Sequence, residues 1–450
     1  WRRPRREPRH SATLKRTAVA VPAAASHWDV VSFENCEFGG SVTGYDLRSA
    51  IGNADATKRL RADMARHRLL IFRGQNELTG ADHIALSEQL GSLDHGLHRV
   101  HPQSPDPRLL RVSNDDAEGF VSVGTSGWHV DGVMLRAPFA VQTMHFLSAI
   151  SGGDTLFLGF RELLAALDPE VLERWRRLWF VSGVGSDLAA GDGQLSLLPL
   201  VYTHPFSGDE TMCFHLGRNY CLGWIEEQPQ PDGLAALVGG ILGARGGARS
   251  ATDVALGQLL TGSDKGADPA GFTVLPPRPM QELLRDVLDG LDEAMRRRIV
   301  WRQQWADGDF ALIDNMALAH LPAPGTQAKP SGPGDPGVRI FHRTTMTDPA
   351  AVPRNARGAE SVLLAGGSDS VDLTGSRAGA IRDPEAMRRI LKALVVATAR
   401  DEETNDEDTT GQQPAPKPRT KPGGSKAMAQ RLRSKARAKL AERAGAAAGS

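Results

Sequence analysis

Short apolar stretches, each closed by glycine, proline or aspartate, recur through the middle of this 450-residue chain. Stretches of this length and pattern are typical of β-strands. Many short strands, with helices gathered near the start, predict a mostly β protein with flanking helices and a double-stranded β-helix core, that is, a cupin-like jelly roll. The predicted strands are 68–73, 137–147, 153–158, 198–203, 210–214, 298–304, 310–314 and 338–345.

Helical patterns occupy a few segments between these strands. Residues 56–67 form an amphipathic pattern, and Thr79 can cap a second helix that Gly91 ends. Two later segments, 162–178 and 280–298, are each predicted to be one helix.

The composition divides the chain into a globular part and two polar ends. Residues 1–27 contain many arginines and a single acid, Glu7, which predicts either a transit-like segment or a basic disordered arm. Residues 28–400 are predicted to form one domain, with a Gly- and Ala-rich insertion near 228–277 packed on its outside. Residues 401–450 begin acidic and become rich in Pro, Gly, Ala and Lys, which predicts a disordered charged tail.

The charge balance and the cysteine content narrow the partners and the compartment. Lysine plus arginine equals aspartate plus glutamate at 53 each, so neither nucleic acid nor a membrane surface is expected as a partner. Three cysteines are too few for a disulfide framework and favour a reducing compartment, the cytoplasm, or a mitochondrion or plastid if the N-terminus is a transit segment. A small-molecule substrate is expected, and a homo-oligomer is compatible with the composition.

A histidine and an aspartate lie two residues apart in Trp128-His129-Val130-Asp131, and His320 follows the predicted strand 310–314 far downstream. On a strand, residues two apart project to the same side, so His129 and Asp131 can face one ion. Two histidines and a carboxylate are the set that holds non-haem Fe(II) and leaves other positions open. Zinc with the same ligands is the chemical alternative, and a core or surface role is the default for any single histidine.

Two arginines, Arg339 and Arg343, lie four apart in the predicted strand 338–345, so their side chains should face the same way. Burying two guanidinium groups is costly unless anions pair with them, and guanidinium is well suited to binding carboxylates. The alternative is a pair of surface arginines on an edge strand.

In these residues and in several further segments, the chain resembles the taurine dioxygenase (TauD/TfdA-like) family of Fe(II)- and 2-oxoglutarate-dependent oxygenases. The resemblance runs from about Cys36 to Asp348. The segments that carry it, in the family's order, are 44–47, 70–75, Trp128-His129-Val130-Asp131, Gly152-Gly153-Asp154-Thr155, Thr203-His204-Pro205-Phe206-Ser207-Gly208, 308–320 and 339–343.

The resemblance implies a metal centre and a cosubstrate site. His129, Asp131 and His320 are expected to bind Fe(II), and Thr155 and Arg339 to bind the distal carboxylate of 2-oxoglutarate. O2 is the second cosubstrate, succinate and CO2 are the expected products, and no catalytic residue is expected beyond the metal centre.

The resemblance also implies how the substrate side is built. Arg343 is expected to face the primary substrate, which suggests an anionic group, and His98 and Thr125 are the further substrate-binding candidates. Asp131 keeps the carboxylate that related halogenases replace, so hydroxylation is favoured over halogenation, while desaturation and epoxidation stay open. The cluster His95, His98 and His101 gives no clear match to the histidine that recognises a sulfonate, so taurine itself is not the expected substrate.

Two other functions stay open on the sequence alone. A zinc-dependent hydrolase could use the same three ligands, although Thr155 and Arg339 argue against it because hydrolysis needs no carboxylate anchor. A catalytically silent jelly-roll scaffold could use its polar ends to bind a partner, although the intact ligand set argues against this.

Overall fold

The protein is described here from a computed structural model. It describes residues 27–94, 100–124, 127–184, 193–217, 220–227, 272–289, 293–330, 337–366, 380–382 and 384–408. The helices are α1 (Ala54–His67), α2 (Gly80–Glu88), α3 (Phe160–Ala166), α4 (Pro169–Trp175), α5 (Pro277–Asp289), α6 (Glu293–Ile299) and α7 (Pro384–Asp408), with 3₁₀ turns at Leu47–Ala50 and Pro349–Ala351. The strands are β1 (Val31–Ser32), β2 (Gly40–Val42), β3 (Leu69–Phe72), β4 (Ser92–Leu93), β5 (Leu110–Ser113), β6 (Val141–Ser148), β7 (Thr155–Gly159), β8 (Leu178–Val184), β9 (Gln194–Pro199), β10 (Val201–Thr203), β11 (Glu210–Met212), β12 (Gly223–Glu227), β13 (Phe272–Leu275), β14 (Val300–Gln303), β15 (Phe310–Asp314), β16 (Leu318–Pro322), β17 (Ile340–Thr347), β18 (Val362–Ala365) and β19 (Ile381–Arg382).

The largest sheet has the order β1-β2-β3-β15-β6-β17-β4, with β5 also paired to β17. Its strands pair antiparallel except β2 with β3. Every residue of β3 and β15 is buried, because helix α1 packs on one face and the molecule's interior lies on the other. Strands covered on both faces read as continuous apolar runs, as these two do.

A smaller sheet, β14-β7-β16, faces the large one. Side chains from both sheets meet in one buried cluster that includes Ile71, Phe146, Phe157, Ile313 and Leu318. The two sheets form the jelly-roll core that the sequence predicted. Strand β15 runs over 310–314 as predicted, and β6 begins at Val141 instead of residue 137.

A six-stranded sheet, β13-β12-β8-β9-β18-β19, was not predicted from the sequence. Its strand β8 begins at Leu178, at the end of the one helix that the sequence predicted over 162–178. That prediction is wrong, because α3 ends at Ala166, Asp168 caps α4 by accepting from the Glu170 amide, and β8 begins at Leu178. Pro169 favours a helix start, and the residue before a proline avoids helical geometry, so the break is local in origin.

Other boundaries also differ from the predictions. The helix expected over 280–298 is two helices, α5 and α6, and the strand expected over 198–203 is split between β9 and β10. Helix α7 continues to Asp408, past the boundary expected at residue 400, and packs on the six-stranded sheet through Met387, Ile390 and Leu394. Residues 1–26, 228–271 and 409–450 lie outside the described residues, so the domain boundaries stay a prediction.

The helices of the described residues are all too short or too polar to cross a membrane.

Buried histidines line the helix-covered face of the large sheet. His83 Nε2 lies 2.5 Å from Thr143 Oγ1, and His145 Nε2 donates to the Gln75 carbonyl at 3.0 Å. On β17, His342 Nε2 accepts a hydrogen bond from Arg111 Nη1 at 3.1 Å. Burial, then the Arg111 charge and His145, lower the pKa of His342 to about 4. His342 is therefore neutral in the folded protein.

The low pKa of His342 predicts that acid destabilises the folded protein. Below pH 6.5, His342 takes up a proton in the unfolded chain, whereas in the folded protein it does so only near pH 4. The free energy of unfolding therefore falls as the pH drops across this interval. His342→Gln keeps an acceptor for Arg111 and does not titrate. The free energy of unfolding, measured in urea at pH 7 and pH 4.5, should fall less for this variant, by on the order of 2 kcal/mol. An equal fall in both proteins would contradict the assignment.

Candidate metal centre

His129 and His320 are joined directly by their backbones. The His320 amide donates to the His129 carbonyl at 2.9 Å, and the His129 amide donates to the His320 carbonyl at 3.3 Å. On its other side, the Val130 amide donates to the Phe214 carbonyl at 3.1 Å. His129 thus lies on isolated bridges to His320 of β16 and to His215, outside the strands themselves.

The three side chains of the predicted ligand set converge. One ligand atom from each of His129, Asp131 and His320 lies within 4.8 Å of the other two. Both histidines are buried, and His320 Nε2 lies 3.5 Å from Asp131 Oδ2. The arrangement brings together two imidazole nitrogens and one carboxylate, a donor set that suits Fe(II).

The protonation of the site also suits a cation. His129 Nδ1 donates to the Gly127 carbonyl at 2.7 Å, so its Nε2 keeps a free lone pair. Burial, then the neighbouring His320 and His215, hold the pKa of His129 well below its usual value. Burial would raise the pKa of Asp131, but the Arg343 guanidinium and then His320 outweigh it and hold that pKa well below its usual value. Neutral imidazole and ionised carboxylate are the forms that bind metal.

Asn315 fixes Asp131 relative to His320. Its Oδ1 accepts from the Asp131 amide at 3.0 Å, and its Nδ2 donates to the carbonyls of Asp131 and Phe139 at 3.0 and 2.7 Å. The preceding Asp314 pairs with buried His204 at 3.1 Å. The turn between β15 and β16 therefore holds the loop that carries Asp131. The sequence analysis included Asp314 and Asn315 in the segment 308–320 but gave them no role of their own.

Arg339 is a buried cation without an ion pair among the described residues. Its side chain is 3% exposed, and its guanidinium lies over the rings of Phe146 and Phe341, at 5.1 and 4.6 Å from their centroids. Its Nε has no hydrogen-bond partner in the described part of the chain. Burial lowers the pKa of Arg339 to about 10. An unpaired buried charge is costly, so this position is suited to an anionic ligand.

Thr155 is linked to Arg339 through two stacked aromatic rings. Trp305 Nε1 donates to Thr155 Oγ1 at 3.0 Å, which leaves the hydroxyl hydrogen for another acceptor. The Trp305 ring stacks on Phe146, the ring that Arg339 also covers, with centroids 4.0 Å apart. Trp305 was not singled out from the sequence, because its contact with Thr155 depends on the pairing of β7 with β14.

The predicted substrate residues have different outcomes. Arg343 lies beside the centre, where its Nη1 donates to Asp131 Oδ2 at 2.9 Å. His98 and Thr125 lie outside the described residues. His215, which the sequence analysis did not select, stacks between His129 and Tyr220, with centroids 4.6 and 4.0 Å away. Burial lowers the pKa of His215 to about 4.

Comparison with known proteins agrees with this arrangement. The sequence profile of the "Taurine catabolism dioxygenase TauD, TfdA family" matches residues 32–238. Over this stretch the chain is similar to the TauD/TfdA family. It is 25% identical over 308 residues to the (S)-phenoxypropionate/alpha-ketoglutarate-dioxygenase of Sphingobium herbicidovorans, covering 64% of this chain and 86% of the relative.

Solved structures of the family share the fold. A taurine dioxygenase from Burkholderia xenovorans superposes with a TM-score of 0.50 at 20% identity, covering 79% of this chain and 99% of its own. A second protein of that organism gives a TM-score of 0.51 at 19% identity, covering 76% of this chain and 99% of its own. At these identities the likeness shows the jelly-roll fold alone.

These similarities support a 2-oxoglutarate-dependent dioxygenase, with Fe(II), 2-oxoglutarate and O2 as cofactor and cosubstrates. They favour neither of the alternatives, the zinc hydrolase and the silent scaffold. The profile match ends at residue 238, so it contains His129, Asp131 and Thr155 but neither His320 nor Arg339. The structure brings these last two into the same region.

A glycine over the centre gives a test of its location. A Cβ added to Gly124 would lie 3.1 Å from His129 Cε1 and 3.3 Å from its Nε2, whereas one added to Gly325 would meet nothing within 4 Å. Both glycines have positive φ angles, so alanine strains both backbones by a similar amount, about 1–2 kcal/mol. Gly124→Ala should weaken Mn(II) binding by roughly 10-fold or more, as measured by calorimetry.

Gly325→Ala is the matched control and should bind Mn(II) like the wild type. Equal Mn(II) affinity in both variants would place the metal elsewhere.

Proposed function

We propose that His129, Asp131 and His320 bind Fe(II) and that the enzyme hydroxylates a small organic molecule that carries a carboxylate. The observation that carries this proposal is the buried Arg339, which has no ion pair among the described residues and is linked to Thr155 through the stacked rings of Phe146 and Trp305. A hydrolase or a scaffold has no need for a buried cation at this place.

Arg339 and Thr155 would together hold the distal carboxylate of 2-oxoglutarate. The guanidinium supplies charge and two-pronged donation, and the Thr155 hydroxyl, oriented by Trp305, supplies a third hydrogen bond. The rings of Phe146 and Phe341 keep water from the guanidinium and strengthen its attraction for an anion. Bound at the triad, Fe(II) would supply the O2-dependent oxidation that converts 2-oxoglutarate to succinate and CO2 and hydroxylates the substrate.

Arg343 and its neighbours support an anionic, ring-bearing substrate. The Arg343 side chain is 13% exposed, and its Nε has no hydrogen-bond partner among the described residues, so donors remain beyond the one used by Asp131. Burial, then the charge of Asp131, raise the pKa of Tyr220, which stays a neutral hydroxyl. A carboxylate joined to an aromatic ring suits a guanidinium beside the stacked rings of His215 and Tyr220. The Sphingobium relative is named for such a molecule, (S)-phenoxypropionate.

The balanced charge of the chain also leads us to infer that neither nucleic acid nor a membrane surface is a partner. An organellar location would depend on residues 1–27, most of which lie outside the described residues, and a homo-oligomer stays a prediction.

The ligand roles are tested by succinate formation in the presence of Fe(II), ascorbate and 2-oxoglutarate. His129→Ala and Asp131→Ala should abolish turnover without unfolding the protein. Arg339→Ala should raise the KM for 2-oxoglutarate by about 30-fold or more, since a buried charge contact contributes about 2 kcal/mol or more. Arg108→Ala is the control, because Arg108 is half-exposed and already paired with Asp106. This variant should change neither the turnover rate nor the KM for 2-oxoglutarate. Turnover by either ligand variant would refute the ligand set.

The substrate class is tested by a panel of phenoxyalkanoic acids, the matching neutral alcohols, and taurine. The acids should support succinate formation well above the alcohols and taurine. Arg343→Gln should raise the KM for the acids by about 10-fold or more while changing that for the alcohols little. Equal turnover of acids and alcohols by the wild type would rule out an anion-binding role for Arg343.

A further inference from the structure

Two donors converge on one oxygen of Asp131. Gln142, on β6, is fully buried, and its Nε2 donates to Asp131 Oδ2 at 2.9 Å. Arg343 Nη1 donates to the same Oδ2, also at 2.9 Å. No hydrogen bond to Asp131 Oδ1 is found among the described residues. His320 Nε2 lies 3.5 Å from Oδ2 as well, so this oxygen is shared by Gln142, Arg343 and the predicted ligand set.

We propose that Gln142 is a positioning residue that, with Arg343, fixes the orientation in which the Asp131 carboxylate meets the metal. This inference rests on the proposed function of the site. Two N–H donors, one on β6 and one on β17, hold the same carboxylate oxygen and so restrict rotation of the Asp131 side chain. A carboxylate that is already held in one orientation is prepared for metal binding.

The chemical character of Gln142 supports this role. Its amide is neutral, so it orients the carboxylate without adding to the positive charge that Arg343 already places there. Metal ligands are commonly oriented by such outer hydrogen bonds.

The fold itself has no evident need for glutamine at this position. Gln142 Oε1 is buried without a hydrogen-bond partner among the described residues, which costs about 1–3 kcal/mol. Met144 and Phe146, which follow on the same face of β6, belong to the apolar core. An apolar side chain would suit residue 142 equally well for packing, so a purely structural role does not account for the amide.

Gln142→Met and Gln142→Leu replace the glutamine with an apolar side chain of similar size and so remove the hydrogen-bond donor to Asp131. Gln194→Met is the matched control, because Gln194 is also buried on a strand but donates to the Met134 carbonyl instead of a carboxylate. We expect both Gln142 variants to bind Mn(II) about 10-fold more weakly than the wild type and to change the visible absorption of the Co(II)-loaded protein, which reports coordination. Their melting temperatures should equal or exceed that of the wild type, and Gln194→Met should keep wild-type Mn(II) affinity and Co(II) absorption.

The outcomes separate this inference from the proposed function. Wild-type Mn(II) affinity and Co(II) absorption in both Gln142 variants would overturn the inference and leave the function standing. Melting temperatures that fall clearly in both variants would also overturn it, because Gln142 would then serve the fold. A wild-type protein that binds no Mn(II) would instead remove the proposed metal site itself.

Discussion

The site depends on the backbone pairing of His129 with His320. These residues are distant in the chain, and two hydrogen bonds between their peptide groups bring their side chains to one place. Two such bonds contribute only about 1 kcal/mol each, so they select the register and do not hold the site by themselves. The frame is the pair of facing sheets, in which β16 pairs with β7 and the turn before β16 holds the Asp131 loop through Asn315.

Buried charge is the second constraint on this structure. Asp131 is ionised between Arg343 and two histidines, whereas Arg339 lies among aromatic rings without an ion pair in the described part of the chain. Charges are retained in such places when a ligand completes them. The site therefore has one position that lacks a cation and one that lacks an anion. A metal ion and a dicarboxylic acid satisfy both, which is the physical link between this geometry and the chemistry of the TauD/TfdA family.

The sequence predicted the parts of the site that carry a local signal. The strand 310–314 was predicted with its observed bounds, because a run of buried apolar residues between a Gly-Asp turn and Asp314 has few other readings. His129, Asp131 and His320 were recognised by residue type and spacing, and the structure brings them together. Arg343 was predicted to face the substrate, and its contact with Asp131 places it beside the centre.

The parts that the sequence did not predict depend on contacts between distant segments. The six-stranded sheet was missed because β8 follows directly on a helical pattern and because β18, which pairs with β9, lies far along the chain. Trp305 donates a hydrogen bond to Thr155, and Gln142 donates one to Asp131. Neither residue lies at a sequence spacing from its partner that would reveal the contact. The one visible hint was a glutamine inside the apolar strand 137–147, and only the sheet pairing shows which side chain it meets.

Crystallographic location of bound metal by anomalous diffraction, from crystals grown anaerobically with Mn(II) and 2-oxoglutarate, tests the central claim most directly. The account predicts one strong peak bounded by His129, Asp131 and His320, with the distal carboxylate of 2-oxoglutarate against Arg339 and Thr155. A peak elsewhere, or 2-oxoglutarate bound away from Arg339, would contradict it.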